Sequence, residues 1–173
     1  ELAEAAWAMR ERFQRELTPV ADAVALALAT DRPPVIFSDA GDNPGGGGSG
    51  RTTELLAALH SAGVEDCMYG SFCDPELAME AFEVGKGNKF MARFNRSSDT
   101  AVSWEQWDLS FEAEAEVLAL HDGNVGGEQG MTAGRQLVLG TSAALRIGGI
   151  TVVIITDRTP TAAPVLFHQF GLD

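Results

Sequence analysis

The glycine-rich stretch at residues 39–53, DAGDNPGGGGSGRTT, constrains the fold of this chain more than any other segment. It follows a short apolar run, Val35 to Phe37, and it precedes Leu55, Leu56 and Leu59, which recur at helical spacing. A run of glycines interrupts regular structure, because each glycine loses much backbone freedom when it is held in a helix or strand. The sequence therefore predicts a strand, a glycine loop and a helix, in that order.

The segments around the loop predict an α/β fold, in which a βαβ unit feeds a mixed sheet with helices packed on it. The unit comprises a buried strand at residues 35–39, a helix at about residues 52–62 that ends at Gly63, and a strand at residues 66–72. Strands joined through a helix at this spacing are parallel, with a right-handed crossover.

Periodicity, caps and turn residues predict the remaining elements. Helices are predicted at residues 2–15, at 19–29 with Thr18 as N-cap, and at 76–84 after Asp74 and Pro75, with a short helix or turn at 164–171. Strands are predicted at residues 90–94, 109–117, 137–139, 143–147 and 150–156, and turns at 121–127 and 148–149. Residues 95–107 form an irregular segment against which Trp104 and Trp107 are expected to pack. The strand at residues 109–117 alternates cleanly and leaves three glutamates on a wet face, which is typical of antiparallel pairing.

Charge and cysteine usage exclude several classes of partner. The formal charge of −13 over 173 residues argues against nucleic acid and anionic membranes, because phosphate binding needs clustered Lys and Arg. No apolar run is long enough to span a bilayer. Cys67 and Cys73 lie in one predicted strand at even spacing, so both should be on one face and too far apart for a disulfide. Reduced core thiols suit a reducing compartment, and we expect a cytoplasmic location.

The glycine loop could serve as an anion cradle or as a tether. Backbone N–H groups ahead of a helix can form an anion nest, with Arg51, Thr52 and Thr53 as side-chain donors. The phosphate-binding pattern is nevertheless absent, because no lysine precedes the threonines. Gly-Gly-Gly-Gly-Ser is also the unit of engineered linkers, but its position between a strand and its own helix argues against that interpretation.

The polar residues at the start of the loop have two interpretations. Asp39, Asp42 and Asn43 supply hard oxygen donors at the carboxyl end of a predicted parallel strand, where α/β proteins place their sites. The same residue types hydrogen-bond their own backbone before a proline such as Pro44. The residue types alone leave a divalent-metal site and a structural turn both open.

No other constellation in the sequence predicts a catalytic centre. His60, His121 and His168 fall on a helix, a turn and the tail, without the spacing of a metal motif. Ser38 lacks the strained elbow of a serine hydrolase, and neither cysteine has an adjacent base.

Residues 38–56 carry a family resemblance. They match D-x-x-D-N-P-G-G-G-x-x-x-x-T-x-x-L-L, which resembles the signature of the microcystinase C (MlrC)-like zinc metallopeptidases, in their C-terminal domain. Downstream segments resemble the same domain, namely Asp74-Pro-Glu with the helix end at 84–87, the turn Asp122-Gly123, the stretch 140–147, the strand 152–158 and the tail 167–173. The resemblance covers nearly the whole chain.

The resemblance implies a protein with more than one domain. Residues 1–31 would be a helical connector between domains, and residues 32–173 an MlrC-like C-terminal α/β domain truncated at both ends. The family's best-known member linearises the cyclic peptide microcystin, and its zinc ligands lie in an N-terminal domain outside this sequence. The implied partners are that catalytic domain and a peptide or small amide substrate, while a homo-oligomer is compatible with the resemblance. No metal or cofactor site is expected in this chain, which should not hydrolyse peptides alone.

Three hypotheses for function follow. In the first, the glycine loop lines or caps a cleft against the catalytic domain, and its backbone N–H groups hold a substrate carboxylate or carbonyl oxygen. The residues involved would be Asp39, Asp42, Asn43, Gly45, Gly46, Gly47, Thr52 and Thr53. In the second, the chain is a non-catalytic scaffold or oligomerisation module. In the third, it is a hydrolase that uses Asp39 and Asp42 with a divalent metal.

Overall fold

A five-stranded mixed sheet organises the computed structural model, which describes residues 1–13, 16–32, 34–96, 109–128, 130–160 and 164–172. The strands are β1 (Cys67–Cys73), β2 (Lys89–Phe94), β3 (Phe111–His121), β4 (Asn124–Gly126), β5 (Gln136–Val138), β6 (Ser142–Ile147) and β7 (Ile150–Ile155). The helices are α1 (Leu2–Ala8), α2 (Val20–Ala29), α3 (Glu54–Ser61), α4 (Pro75–Val84) and α5 (Val165–His168). The main sheet has the order β1-β7-β6-β3-β2, and β4 pairs with β5 separately. The predicted fold class, an α/β mixed sheet with packed helices, is confirmed.

The pairing of β1 with β7 fixes the edge at which the glycine loop lies. These two strands are parallel, whereas β7–β6, β6–β3 and β3–β2 are antiparallel. The predicted tight turn at Gly148 and Gly149 joins β6 to β7. Cys73 lies opposite Ile155, so the carboxyl ends of β1 and β7 meet at one edge of the sheet.

Hydrophobic side chains fill both faces of the sheet. On one face, Leu56 of α3 and Leu77 of α4 are fully buried in a cluster that includes Phe72 and Phe94. The opposite face carries a smaller cluster around Leu166 of α5. The alternation in β3 is as predicted at residues 112–115 and 117, because Ala113, Ala115 and Val117 are buried while Glu112 and Glu114 are exposed. Glu116 is half-buried, and Leu109, predicted to face inward, precedes the strand and is 62% exposed.

The predicted strand at residues 35–39 is wrong. This segment has no regular secondary structure and joins no strand ladder, and the Ile36 side chain is 86% exposed. The parallel neighbour of β1 is instead β7, which comes from the other end of the chain. β-propensity alone does not create a strand, since its stability comes from ladder bonds and packing against neighbours. The predicted βαβ unit therefore lacks its first strand, and Asp39 follows a segment without strand pairing.

The prediction that both cysteines share one face is also wrong. The register between β1 and β7 shifts between Tyr69 and Phe72, so side chains after the shift point to the other side. As a result Cys67 packs with the larger core and Cys73 with the smaller one. Both are free thiols, as predicted.

Several element boundaries differ from the sequence predictions. The first helix ends at Ala8 and is followed by a 3-10 turn at Arg10–Phe13, and α2 begins after Pro19 rather than at it. The turn predicted at residues 121–127 contains the end of β3 and the whole of β4. Trp104 and Trp107 lie outside the described residues. Within the described ranges, no helix is long and apolar enough to cross a membrane.

Candidate functional site

The glycine loop packs onto the carboxyl edge formed by β1 and β7. The Cys73 N–H at the end of β1 donates to the Gly50 carbonyl over 2.7 Å. The Arg158 Nη1, beyond the end of β7, donates to the Gly48 carbonyl over 3.2 Å. A Cβ placed on Gly45 would lie 3.8 Å from Pro160, so this part of the loop also lies against the segment that follows β7.

Asp42 holds the loop together. Its Oδ1 accepts from the Ser49 hydroxyl over 2.9 Å and from the Gly50 N–H over 2.8 Å, and its Oδ2 accepts from the Thr52 N–H over 2.7 Å. Burial by itself raises the pKa of this carboxyl, but the donated hydrogen bonds outweigh burial and hold the pKa below its ordinary value. Both carboxylate oxygens of Asp42 therefore stabilise the loop, because their hydrogen bonds join its beginning to its end at Ser49, Gly50 and Thr52.

Asp39 and Asn43 make local turns. Asp39 Oδ1 accepts from the N–H groups of Gly41 at 2.9 Å and Asp42 at 3.2 Å. Asn43 Oδ1 accepts from the Gly45 N–H at 2.9 Å, next to Pro44. These are the side-chain turns that Asp and Asn form routinely. Of the two interpretations of these residues, the structure supports the structural turn.

The glycines between residues 45 and 48 form a closed turn whose N–H groups already have acceptors. The N–H groups of Gly46 and Gly48 donate to the Asn43 carbonyl, at 2.9 and 2.8 Å, and that of Gly47 donates to the Pro44 carbonyl at 3.2 Å. A Cβ on Gly48 would lie 2.7 Å from the backbone nitrogen of Asn43, so only glycine fits there. These donors are therefore not available for a substrate oxygen, and the loop presents an exposed outer surface at residues 45–47.

Thr52 and Thr53 connect the loop to α3 and to the segment before β3. The Thr52 N–H bonds Asp42, as described above. Thr53 is only 2% exposed, and its hydroxyl donates to the Leu109 carbonyl over 2.6 Å. All eight residues predicted for the site thus lie in one folded loop at the sheet edge, although most of their polar groups bond within the protein. Whether they contact a substrate stays a prediction.

Two arginines flank this loop. Arg51 is half-buried, and its Nε is buried without a hydrogen-bond partner among the described residues. Arg158 reaches the loop from beyond β7 and was not selected from the sequence. Its position just after the last buried strand, at the carboxyl edge of the sheet, is the signal that could have identified it.

The described residues do not fit a zinc site. No group of three or more His, Cys, Asp or Glu side chains converges within the described ranges. His60 makes an edge contact with Phe111, with ring centroids 5.4 Å apart, and His121 Nδ1 accepts from the Gly123 N–H over 2.9 Å. The oxygens of Asp42 already accept three hydrogen bonds. The hypothesis of an Asp39–Asp42 metal centre therefore has no support in this geometry.

These features define an α/β domain whose glycine turn closes the carboxyl edge of a parallel strand pair. The chain belongs to the MlrC C-terminus family, whose model matches residues 37–173. The predicted family resemblance is thereby confirmed.

Two relatives of this chain are longer proteins. It is 25% identical over 150 residues to microcystinase C of Sphingomonas sp., and this match covers 87% of the chain but 28% of that protein. A solved protein from Mesorhizobium sp. BNC1, provisionally named a metallopeptidase, superposes with a TM-score of 0.78 at 20% identity. That superposition covers 99% of this chain and 33% of the other, and at such low identity it shows the fold alone. The chain thus spans about a third or less of each relative.

Proposed function

We propose that this chain acts as the C-terminal domain of an MlrC-like metallopeptidase, in which the glycine loop lines or caps the cleft where a peptide or amide is hydrolysed. The observation that carries the proposal is the loop itself, which lies within the residues that the family model matches and is hydrogen-bonded to the carboxyl edge of β1 and β7. Its exposed surface at residues 45–47 carries no side chains, so a substrate or a second domain can approach the backbone closely.

The catalytic metal would be held outside this chain. Zinc is the metal that the family resemblance implies, and the described residues do not fit it. In the proposed arrangement an N-terminal catalytic domain supplies the metal, and this domain shapes one wall of the cleft. The two free thiols, Cys67 and Cys73, are consistent with a cytoplasmic location for the whole protein.

The N-terminal segment supports an arrangement with a second domain. Large apolar side chains on this segment are exposed, including Leu2 at 90%, Trp7 at 70%, Phe13 at 74% and Leu28 at 56%. Exposed apolar surface on this scale marks an interaction site more often than a solvated one. We propose that residues 1–31 contact the catalytic domain as the connector that the resemblance implies.

A glycine that the loop does not need for folding provides the test. A Cβ on Gly46 would meet its nearest neighbour at 3.9 Å, an ordinary contact, and Gly46 lies on the exposed surface. In a longer protein that includes the N-terminal domain, we expect Gly46→Leu to lower kcat/KM for peptide hydrolysis by about tenfold or more, because 1.4 kcal/mol of steric cost suffices. Gly126→Ala, at a position with open space, is the matched control.

The same measurement distinguishes the proposed function from a competing role. The complete internal bonding of residues 46–48 also suits a non-catalytic scaffold or oligomerisation module. If Gly46→Leu hydrolyses peptides at the control rate while its melting temperature is unchanged, the loop does not line the cleft. A change of oligomeric state in the same variant, measured by sedimentation, would favour the oligomerisation module.

A further inference from the structure

Arg51 is a half-buried cation without a counter-charge in the described part of the molecule. Its Nε is buried and lacks a hydrogen-bond partner there. The Nε of Arg96 is also buried without a hydrogen bond there, but it lies 3.7 Å from a Glu76 carboxylate oxygen, whereas Arg51 forms no ion pair among the described residues. Buried donors in native proteins are almost always satisfied, by protein, water or ligand, so the Arg51 side chain calls for an acceptor.

Arg158 brings a second guanidinium to the glycine loop. It is exposed and donates to the Gly48 carbonyl, two residues before Gly50 and three before Arg51. Burial, the largest cause, and the Asp74 carboxylate raise the pKa of the Cys73 thiol, Arg158 and Arg51 act to lower it, and Asp157 acts to raise it. Both cations therefore lie near the end of β1, on the edge that the glycine loop closes.

The nearby acidic groups form no ion pair with either arginine among the described residues. Asp42 directs its oxygens toward Ser49, Gly50 and Thr52 inside the loop. The Asp74 carboxylate accepts from the N–H groups of Leu77 and Asn95, at the start of α4 and after β2. Asp157, next to Arg158 in sequence, is exposed and forms no ion pair with either arginine among the described residues. In a chain with a formal charge of −13, two cations beside one loop that form no ion pair among the described residues are a distinctive local feature.

We infer that Arg51 and Arg158 bind a carboxylate of the peptide substrate at the rim of the glycine loop. The inference rests on the proposed function and names the substrate class as peptides with a free carboxylate near the reacting bond. Guanidinium groups suit this ligand, because their planar N–H donors match the two oxygens of a carboxylate. The loop cannot take over this role through residues 46–48, since their backbone N–H groups are already bonded.

Direct binding to the 173-residue chain tests the inference without any need for activity. The probes are N-acetylglycine, which carries a carboxylate, and N-acetylglycine amide, which does not, titrated by NMR. We expect the acid to bind at least about tenfold more tightly, because only the acid offers charged oxygens that accept hydrogen bonds from the guanidinium groups. Arg51→Met should remove that preference. Arg51→Lys, which keeps the charge without the planar guanidinium, should keep part of the preference for the acid. This variant shows whether the loss of preference in Arg51→Met reflects misfolding.

Arg146→Met is the matched control. Arg146 is exposed and pairs in register with Thr151 near the start of β7, at the end of the strand away from the loop. Its replacement should leave the preference for the acid unchanged. Equal binding of acid and amide, or a preference that survives Arg51→Met, would overturn the inference.

A second experiment separates this inference from the proposed function. In the longer protein, Arg51→Met should raise KM for a peptide acid about tenfold relative to the matching peptide amide, with kcat little changed. An equal loss for both substrates would overturn the carboxylate role. If the longer protein hydrolyses neither substrate while the titration still distinguishes acid from amide, the proposed function fails and the carboxylate site stands.

Discussion

Replacing Asp42 by alanine tests the claim that one carboxylate folds the glycine loop. The change removes the acceptor for the Ser49 hydroxyl and for the N–H groups of Gly50 and Thr52. Hydrogen bonds to a charged acceptor contribute about 1.5–3 kcal/mol each. The site is only partly buried, so water replaces some of this loss, and we expect a net destabilisation of about 2 kcal/mol. For a chain of this length that corresponds to a fall in Tm of about 4–8 °C.

Thermal unfolding followed by circular dichroism measures the global effect, and hydrogen exchange at the Gly50 and Thr52 amides measures the local one. Asp31→Ala is the control, since Asp31 is exposed and its contact with Arg32 is 3.9 Å long. If Asp42→Ala matched this control in Tm and kept both amides protected, the loop would be held by something other than this carboxylate. Asp42→Asn should fall between the two, because its amide retains one acceptor oxygen.

Three further predictions use the same unfolding measurement. Gly48→Ala should lower the free energy of unfolding by about 1–3 kcal/mol, because its Cβ would overlap the Asn43 backbone, whereas Gly126→Ala should be nearly neutral. Equal Tm values for the two variants would contradict the turn geometry. Thr53→Val should lower the free energy of unfolding by about 1 kcal/mol, because it removes the hydrogen bond from the Thr53 hydroxyl to the Leu109 carbonyl. Thr151→Val, within β7, should lower it less, and the reverse order would refute this role for the Thr53 hydroxyl. Folding lowers the pKa of Asp42, so its contribution is present above its ordinary pKa of about 3.9 and is lost as the pH falls through the folded value. The Tm difference between the wild-type chain and Asp42→Asn should therefore shrink below about pH 4, and a difference that grows on acidification would contradict the assigned shift.

The parts of the fold that sequence predicted well are those fixed by local chemistry. Asp74 caps α4 with Pro75 in the first turn, as its position in the sequence indicated, and its Oδ1 accepts from the Leu77 N–H over 3.0 Å. The hairpin at Gly148 and Gly149 is equally local. Such features depend on residues a few positions apart, which a single sequence displays directly.

The failures arise where distant segments decide the outcome. Val35 to Phe37 has strong β-propensity, but a strand needs ladder bonds to a neighbour. β1 is the edge strand of the sheet and pairs on its inner side with β7, from the far end of the chain, and residues 35–37 do not pair with its outer side. The two cysteines were placed by strict alternation, which a register shift in β1 breaks. For the site, the loop residues were identified correctly as one unit, whereas Arg158 is separated from them by more than a hundred residues and only the sheet brings it close.

The glycines of the loop fall into two groups, those that the turn requires and one, Gly46, that it does not require. Gly48 has no room for a side chain, and Gly50 combines a φ of +73° with a Cβ that would lie 2.9 Å from Pro44, so the turn itself requires both. Gly46 is different, because the fold leaves ordinary space for a Cβ there and its φ does not lie in the left-handed region. A glycine that the turn does not require, on the exposed surface, suits the close approach of another molecule. The backbone around it has no free donors at residues 46–48, so polar recognition at this edge falls to the neighbouring side chains, and Arg51 is the one that is charged, half-buried and without a partner in the described residues.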